Sequence, residues 1–186
     1  MSAEEKAALR AEIRARIAAL SGEYISLSDL GIMQNVLSLP EFAAAGRVFA
    51  YFSVGRECST EGLISAAAAA GKTVALPRTL GRGDMYFAAY SGTDVAGRYG
   101  IPEPPDGSER LEAAGGDLLI VPALCCDVHG NRLGQGGGYY DRLLPRSAAV
   151  SVCLCRERLL QKKVPVEWND FPVDIVVTEE RVLRTK

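Results

Sequence analysis

The sequence predicts an α/β protein in which a mainly parallel β-sheet is covered by helices on both faces, as a three-layer sandwich. Short apolar runs alternate with helical segments, most clearly over residues 47–77, and this succession is typical of β-α-β units with a buried parallel sheet. The chain has 186 residues, of which 48% are hydrophobic and 24% are charged, close to the average of globular domains. We expect residues 1–186 to form one domain with its own core.

Two helices are predicted before the first strand. Residues 3–20 are rich in Ala, Leu, Arg and Glu, with apolar residues at helical spacing. Residues 27–38 repeat this pattern and end before Pro40. A third helix is predicted over the Ala-rich residues 61–70, because Gly71 follows as a typical helix end.

Six apolar runs of strand length are predicted to build the sheet. These runs lie at residues 47–53, 73–77, 85–90, 117–121, 149–155 and 173–178. The run at 85–90 has mixed alternation and is expected at an edge of the sheet. Residues 91–116 are dense in Gly and Pro and are predicted to form a long loop, which in compact domains is usually a binding loop or a disordered segment.

Charge and hydropathy exclude two broad classes of partner. The chain has 21 Lys and Arg against 23 Asp and Glu, a net charge of −2, whereas binding along a nucleic-acid backbone needs a basic excess. The longest apolar run, residues 118–126, is far shorter than the roughly 20 residues that span a membrane. The first 20 residues carry acidic side chains and no apolar signal core. We therefore expect a cytoplasmic monomer without nucleic-acid or membrane partners.

The cysteines and the single histidine argue against a zinc site and against a catalytic triad. Cys125 and Cys126 are adjacent, and Cys153 is two residues from Cys155, so ordinary disulfides within these pairs are excluded. We expect the thiols to be reduced and buried. Common zinc sites are built from spaced Cys pairs or from two or more histidines, and this sequence has neither. His129 lies in a sequence typical of turns and is predicted to be a turn residue.

A glycine-rich segment, residues 134–138 with glycine at 134, 136, 137 and 138, follows the strand predicted at 117–121 and leads into a short helix predicted from about Tyr139. Its glycines permit positive φ angles and close approach of a ligand to the backbone, and free N–H groups at a helix start favour an anion. Arg132 would add a cation that binds phosphate through two hydrogen bonds, and Asp141 would hold a magnesium ion that bridges phosphate oxygens. The segment therefore predicts a phosphate site. The alternative is a tight turn whose glycines only permit helix–sheet packing.

The string of residues 131–141, Asn-Arg-Leu-Gly-Gln-Gly-Gly-Gly-Tyr-Tyr-Asp, closely resembles the signature of the 5-formyltetrahydrofolate cyclo-ligase family, also called methenyltetrahydrofolate synthetases. Further segments fall in the family's order from about residue 6 to 178. They are Lys6-x-x-x-Arg10, residues 52–57, Leu76-Pro-Arg78, residues 100–104 and residues 164–174. The resemblance implies an α/β enzyme that converts 5-formyltetrahydrofolate and ATP, with magnesium, into 5,10-methenyltetrahydrofolate, ADP and phosphate.

The reaction implied by this resemblance needs no protein nucleophile. The formyl oxygen attacks the γ-phosphate of ATP, which releases ADP and gives an imidate phosphate. The second folate nitrogen then closes the ring and phosphate leaves. Catalysis would come from aligning the two substrates and from neutralising charge on the transferred phosphoryl group. A chain with one histidine and no credible Ser-His-Asp or Cys-His set agrees with this chemistry.

The resemblance also implies the site residues, position by position. ATP would be bound by Lys6, Arg10, Arg132, Leu133, Gly134, Gln135, Gly136, Gly137, Gly138, Tyr139 and Tyr140. Folate would be bound by Phe52, Glu57, Gln135, Gly136, Gly137, Gly138 and Tyr139. Asp141 and Asp174 would hold magnesium, and Arg132, Tyr139 and Asp141 would be the catalytic residues. Some members have Lys at the position of Gly137, so this chain lacks a cation there.

Two other functions remain open at this point. A sugar-phosphate isomerase or a phosphotransferase could use a similar glycine-rich loop, since a fold does not determine its function. An isomerase would need a His or carboxylate base beside that loop and would not need magnesium-bound ATP. The second alternative is a family member that serves only as a binding module, for example for RNA, and such a module would present a basic face.

Overall fold

The structure is a computed structural model that describes residues 3–81, 84–90, 92, 95–96 and 101–185. The helices are α1 (Ala3–Ala19), α2 (Gly22–Leu37), α3 (Pro40–Ala44), α4 (Glu61–Ala69) and α5 (Tyr139–Leu143), and short 3₁₀ helices cover Leu144–Arg146 and Glu157–Leu159. The strands are β1 (Arg47–Phe49), β2 (Thr73–Gly81), β3 (Asp84–Ala89), β4 (Val95–Ala96), β5 (Pro102–Glu103), β6 (Leu118–Val121), β7 (Cys125–Cys126), β8 (Arg132–Leu133), β9 (Val150–Leu154), β10 (Ile175–Val177) and β11 (Val182–Arg184).

Seven strands form one sheet in the order β11-β10-β9-β6-β1-β2-β3. The five inner strands run parallel, and the edge strands β3 and β11 are antiparallel to their neighbours. β1 lies between β2 and β6, with Val48 in register with Val74 and Leu118. The mainly parallel sheet is confirmed, and so is the edge position expected for residues 85–90. β4 pairs with β5, and β7 with β8, as two separate antiparallel ribbons.

Helices cover both faces of this sheet, so the predicted three-layer α/β class is confirmed. On one face, α2 and α4 pack Ile32 and Leu63 into a core that includes Val48. On the other face, Ile13 of α1 and the β7–β8 hairpin pack into a core that includes Val121. All five side chains are at most 1% exposed, and burying each one stabilises the fold by roughly 1.5–3 kcal/mol.

Two helices differ from the prediction. α2 begins at Gly22, five residues before the predicted start, because the Ser21 side chain accepts a hydrogen bond from the N–H of Tyr24 and caps the first turn. α3 was not predicted at all. It begins at Pro40, which also terminates the helical pattern before it; proline is favoured at the first helical position, where its missing N–H is not needed.

The strand ends differ for a similar local reason. β1 ends at Phe49 rather than at residue 53, because the following backbone turns to bond Thr60. The Thr60 hydroxyl donates to the carbonyl of Tyr51, and its oxygen accepts from the N–H of Ser53. Of the loop predicted at 91–116, residues 91, 93–94 and 97–100 lie outside the described residues, and the described part contains the β4–β5 ribbon, which was not expected.

The remaining sequence predictions concern the thiols, the histidine and the membrane. All five cysteines are free and buried, as small apolar side chains are. His129 lies in the turn between β7 and β8, where its N–H donates to the Asp127 carboxylate. None of the helices in the described part of the chain combines the length and the apolar character that crossing a membrane requires.

Candidate active site

One face of α1 carries three cations at four-residue spacing, and each of them contacts another part of the chain. Lys6, Arg10 and Arg14 are one helical turn apart, so their side chains share a face. Arg10 Nε donates to the carbonyl of Gly134 at 3.0 Å, and Arg14 Nη2 donates to Gln135 Oε1 at 2.8 Å. The structure thus brings Arg10 to the glycine-rich segment.

Lys6, at the start of this face, contacts a different segment. Its Nζ lies 2.7 Å from Glu167 Oε2 and 2.5 Å from Asp170 Oδ2. Burial lowers the pKa of Lys6, but hydrogen bonds and charge from Asp170 and Glu167 outweigh that effect and raise the pKa above its ordinary value. The side chain is 9% exposed. Lys6 is therefore a buried, charged amine that fixes the turn of residues 167–170 to α1.

Three glycines of the glycine-rich segment, Gly136, Gly137 and Gly138, cannot be replaced without backbone strain or displacement of a neighbour. Gly136 has a φ of +100° and Gly138 a φ of +67°, which favour glycine. A Cβ at Gly137 would lie 2.7 Å from Cε2 of Tyr139, so any side chain there must displace the ring. A Cβ at Gly136 would lie 3.6 Å from Cζ of Arg10. The segment is thus lined by the Arg10 guanidinium and the Tyr139 ring.

Arg132 is a buried cation beside the glycine-rich segment. Its side chain is 4% exposed, Nη2 donates to Asp141 Oδ1 at 2.6 Å, and Cζ lies 5.9 Å from the centre of the Tyr140 ring. Its buried Nε has no hydrogen-bond acceptor in the part of the chain that the structure describes. A buried donor without an acceptor costs roughly 1–3 kcal/mol. An acceptor supplied by a ligand would remove that cost.

The residues on either side of the glycines have different environments. Leu133 belongs to the apolar core, where it is 1% exposed. Tyr139 and Tyr140 begin α5 and are half-buried. Burial raises the pKa of Tyr140, the charge of Arg132 lowers it, and the charge of Glu57 raises it. The charges of Arg132 and Glu57 therefore act on the same ring, although they come from distant parts of the sequence.

A cavity of about 260 Å³ lies beside the glycine-rich segment, at the carboxyl ends of the parallel strands. It is bounded by α1, by Gln135 and by the segments that follow β1, β6 and β9. Its lining residues are Arg14, Ile17, Ala18, Val54, Arg56, Glu57, Cys58, Ala123, Leu124, Gln135, Cys155, Arg156 and Leu159. Open α/β sheets bind ligands at this edge.

The predicted folate residues Phe52 and Glu57 separate in the structure. Glu57 lines the cavity, and its Oε2 accepts a hydrogen bond from the N–H of Val54 at 3.0 Å. Burial raises the pKa of the Glu57 carboxyl, and the bond from Val54 offsets this only in part. Phe52 is half-buried and packs against the core beneath α2 and α4. Of the two, Glu57 is the one that faces the cavity.

The two predicted magnesium ligands each have a protein partner. Asp141 is 24% exposed and is held by Arg132. Asp174 precedes β10 and accepts hydrogen bonds from the N–H and the hydroxyl of Ser151, at 2.9 and 2.6 Å. Within the described ranges, no group of three or more His, Cys, Asp or Glu side chains is placed to hold a metal ion. One or two carboxylates suit an ion held also by substrate phosphates and water, as Mg²⁺ usually is.

Two residues of the site were missed in the sequence. Arg14 follows Arg10 by four residues, so helical spacing is a sufficient signal for it. Arg156 comes directly after an apolar strand and has no local pattern. Only the tertiary structure shows that its side chain is 1% exposed and lines the cavity.

Comparisons with known proteins agree with this architecture. The model of the 5-formyltetrahydrofolate cyclo-ligase family matches residues 2–179. The chain is 33% identical over 178 residues to 5-formyltetrahydrofolate cyclo-ligase of Escherichia coli, covering 91% of this chain and 98% of that protein. It is 31% identical over 191 residues to the same enzyme of Mus musculus, covering 94% of each. The NMR structure of Aquifex aeolicus 5,10-methenyltetrahydrofolate synthetase matches with a TM-score of 0.84 at 30% identity, covering 97% of this chain and 93% of that one. The chain therefore belongs to the 5-formyltetrahydrofolate cyclo-ligase family.

Proposed function

We propose that this family member binds ATP at the glycine-rich segment and 5-formyltetrahydrofolate in the adjoining cavity, and converts them into 5,10-methenyltetrahydrofolate, ADP and phosphate. The observation that carries the proposal is the buried guanidinium of Arg132. Its Nε has no acceptor among the described residues, and its Nη1 is 3.6 Å from where a Cβ of Gly134 would lie. A phosphate oxygen seated on the glycine backbone would lie within reach of Nη1 of this guanidinium.

The ATP side of the site is cationic. Arg10 and Arg132 both face the glycine-rich segment, from α1 and from β8. Charge-assisted hydrogen bonds from guanidinium groups to phosphate oxygens are short and about twice as strong as neutral ones. Lys6 extends the cationic face of α1, and an incoming phosphate would compete with Glu167 and Asp170 for its Nζ.

The folate side of the site is the cavity. Glu57 would accept hydrogen bonds from the donor edge of the pterin ring, while apolar neighbours such as Leu124 would cover its faces. Gln135 belongs to the glycine-rich segment and also lines the cavity. The formyl oxygen and the γ-phosphate would therefore meet beside Gln135.

The chemistry assigned to these residues is alignment and charge stabilisation. As the formyl oxygen attacks the γ-phosphorus, Arg10 and Arg132 would neutralise charge on the transferred group. Tyr139, packed against Gly137, would cover the reacting groups with a flat face. Asp141 and Asp174 would hold magnesium, which would supply further positive charge to the phosphates. We propose that this unit works as a single domain and a monomer in the cytoplasm.

Binding measurements test the assignment of the two sites. Isothermal titration calorimetry with ATP and with 5-formyltetrahydrofolate, separately and together, should show one site for each. Competition between ATP and 5-formyltetrahydrofolate for binding would contradict the presence of two adjoining sites. If neither ATP nor 5-formyltetrahydrofolate binds and a sugar phosphate does, the isomerase alternative would be favoured.

A further inference from the structure

Arg156 is the largest fully buried side chain in the described part of the chain. It follows β9, is 1% exposed, and reaches the cavity lining from the carboxyl end of that strand. Arginine is almost never fully buried unless it is paired. Its partners therefore indicate what the residue holds in place.

Arg156 uses every donor that an arginine has. A guanidinium carries five N–H donors, and the structure gives five acceptors. They are Ser28 Oγ at 3.0 Å from Nε, the Arg56 carbonyl at 3.0 Å and Cys58 Sγ at 3.6 Å from Nη1, and Asp29 Oδ1 at 2.6 Å and the Glu57 carbonyl at 3.1 Å from Nη2. No donor remains for a substrate.

Three of these five acceptors belong to consecutive residues, 56–58, which carry Glu57 into the cavity. The other two, on Ser28 and Asp29, belong to α2. Asp29 Oδ1 also accepts from the N–H of Ser59 at 3.1 Å. Asp29 and Arg156 together therefore clamp residues 56–59 to α2 and to the end of β9.

We propose that Arg156 is the positioning residue that fixes the Glu57 carboxylate for folate, acting through the backbone of residues 56–58 and supported by Asp29. This inference rests on the proposed function, because it assigns the cavity to folate. Arg156 thus determines affinity for folate and not for ATP, whose proposed cations lie on α1 and β8.

Arg156→Lys tests this proposal because it keeps the charge and removes the geometry. Lysine has three donors on one nitrogen and cannot hold two successive carbonyls and Asp29 in one plane. The KM for 5-formyltetrahydrofolate should rise about tenfold, as expected for loss of preorganised binding, while the KM for ATP stays within about twofold. Asp29→Asn is close in size to the native residue and keeps Arg156; it should change the folate KM in the same direction by less.

Arg47→Lys is the matched control. Arg47 binds Asp117 through Nε at 3.0 Å and Nη2 at 2.6 Å, at the amino ends of β1 and β6. It should lower the unfolding temperature without changing either KM. An unchanged folate KM in both Arg156→Lys and Asp29→Asn would overturn the inference, as would equal rises in both KM values. If wild-type protein binds ATP but not 5-formyltetrahydrofolate, the proposed function fails first.

Discussion

Arg132 and Asp141 form an ion pair, with 2.6 Å between Nη2 and Oδ1, that joins β8 to the first turn of α5 across the glycine-rich segment. The pair fixes the plane of the guanidinium and leaves its buried Nε without an acceptor in the described residues. A group that is oriented before the ligand arrives needs little reorganisation when charge develops. This pair is the basis of the predictions for the ATP site.

Arg132→Ala should impair the use of ATP far more than folding. Removing one preorganised donor to a transition-state oxyanion typically lowers kcat by about 100-fold, or roughly 2.7 kcal/mol. The loss of stability should be small, because Asp141 is partly exposed and can be solvated. Steady-state kinetics and thermal unfolding check both values. Arg146→Ala, at an exposed position after α5, is the control; activity lost only in proportion to stability would contradict the role of Arg132.

Glu57→Gln should weaken folate binding and remove a pH dependence. Burial raises the pKa of Glu57 above its ordinary value. The ionised form accepts hydrogen bonds best, so the folate KM of the wild type should rise as pH falls through this raised pKa. The variant should show a higher KM of about tenfold and no such limb. If Glu57→Gln shows the same rise of the folate KM at low pH as the wild type, Glu57 is not the group that titrates.

The same substitution should stabilise the fold. Because the folded-state pKa of Glu57 is raised, folding favours its neutral form. The unfavourable contribution of Glu57 to the free energy of folding is therefore absent below the unfolded-state pKa and is complete above the folded-state pKa. Glu57→Gln should therefore raise the unfolding temperature at pH 7 and not at pH 3. Chemical denaturation at both pH values measures this. A variant less stable than wild type at pH 7 would contradict it.

Gly137→Ala should lower activity through Tyr139. The new Cβ would lie 2.7 Å from the Tyr139 ring, closer than packed atoms allow, so the ring must move from the glycine-rich segment. We expect kcat to fall by about tenfold, a ΔΔG‡ near 1.4 kcal/mol. Gly115→Ala is the matched control, since nothing lies within 4 Å of a Cβ there. Full activity in Gly137→Ala would show that the position of this ring is unimportant.

ATP binding should be visible in tryptophan fluorescence. Trp168 is the only tryptophan of the chain; it is 97% exposed and lies between the two carboxylates that bind Lys6. A phosphate that draws Lys6 away would loosen this turn and change the emission of Trp168. Lys6→Met should abolish the change and weaken ATP binding. Saturating ATP that leaves the wild-type emission unaltered would remove Lys6 from the proposed ATP site.

More of the fold than of the candidate site could be predicted from patterns of neighbouring residues in the sequence. The parallel sheet and α1 were predictable because apolar periodicity is a local property. The glycine-rich segment was predictable because its residues are contiguous. The partners of Lys6 are 161 and 164 residues away, and those of Arg156 are about 100 or more. No pattern in a single sequence reports contacts of that range, so Arg156 was missed.

The most direct test of the account is a spectroscopic assay of the purified protein with 5-formyltetrahydrofolate, ATP and Mg²⁺, in which each component is omitted in turn and the methenyl product is followed. We predict product only when all three are present. Absence of product from the complete mixture, with ATP and folate both still bound, would contradict a cyclo-ligase activity and favour a binding module. Product formed without ATP would contradict the roles of Arg10 and Arg132.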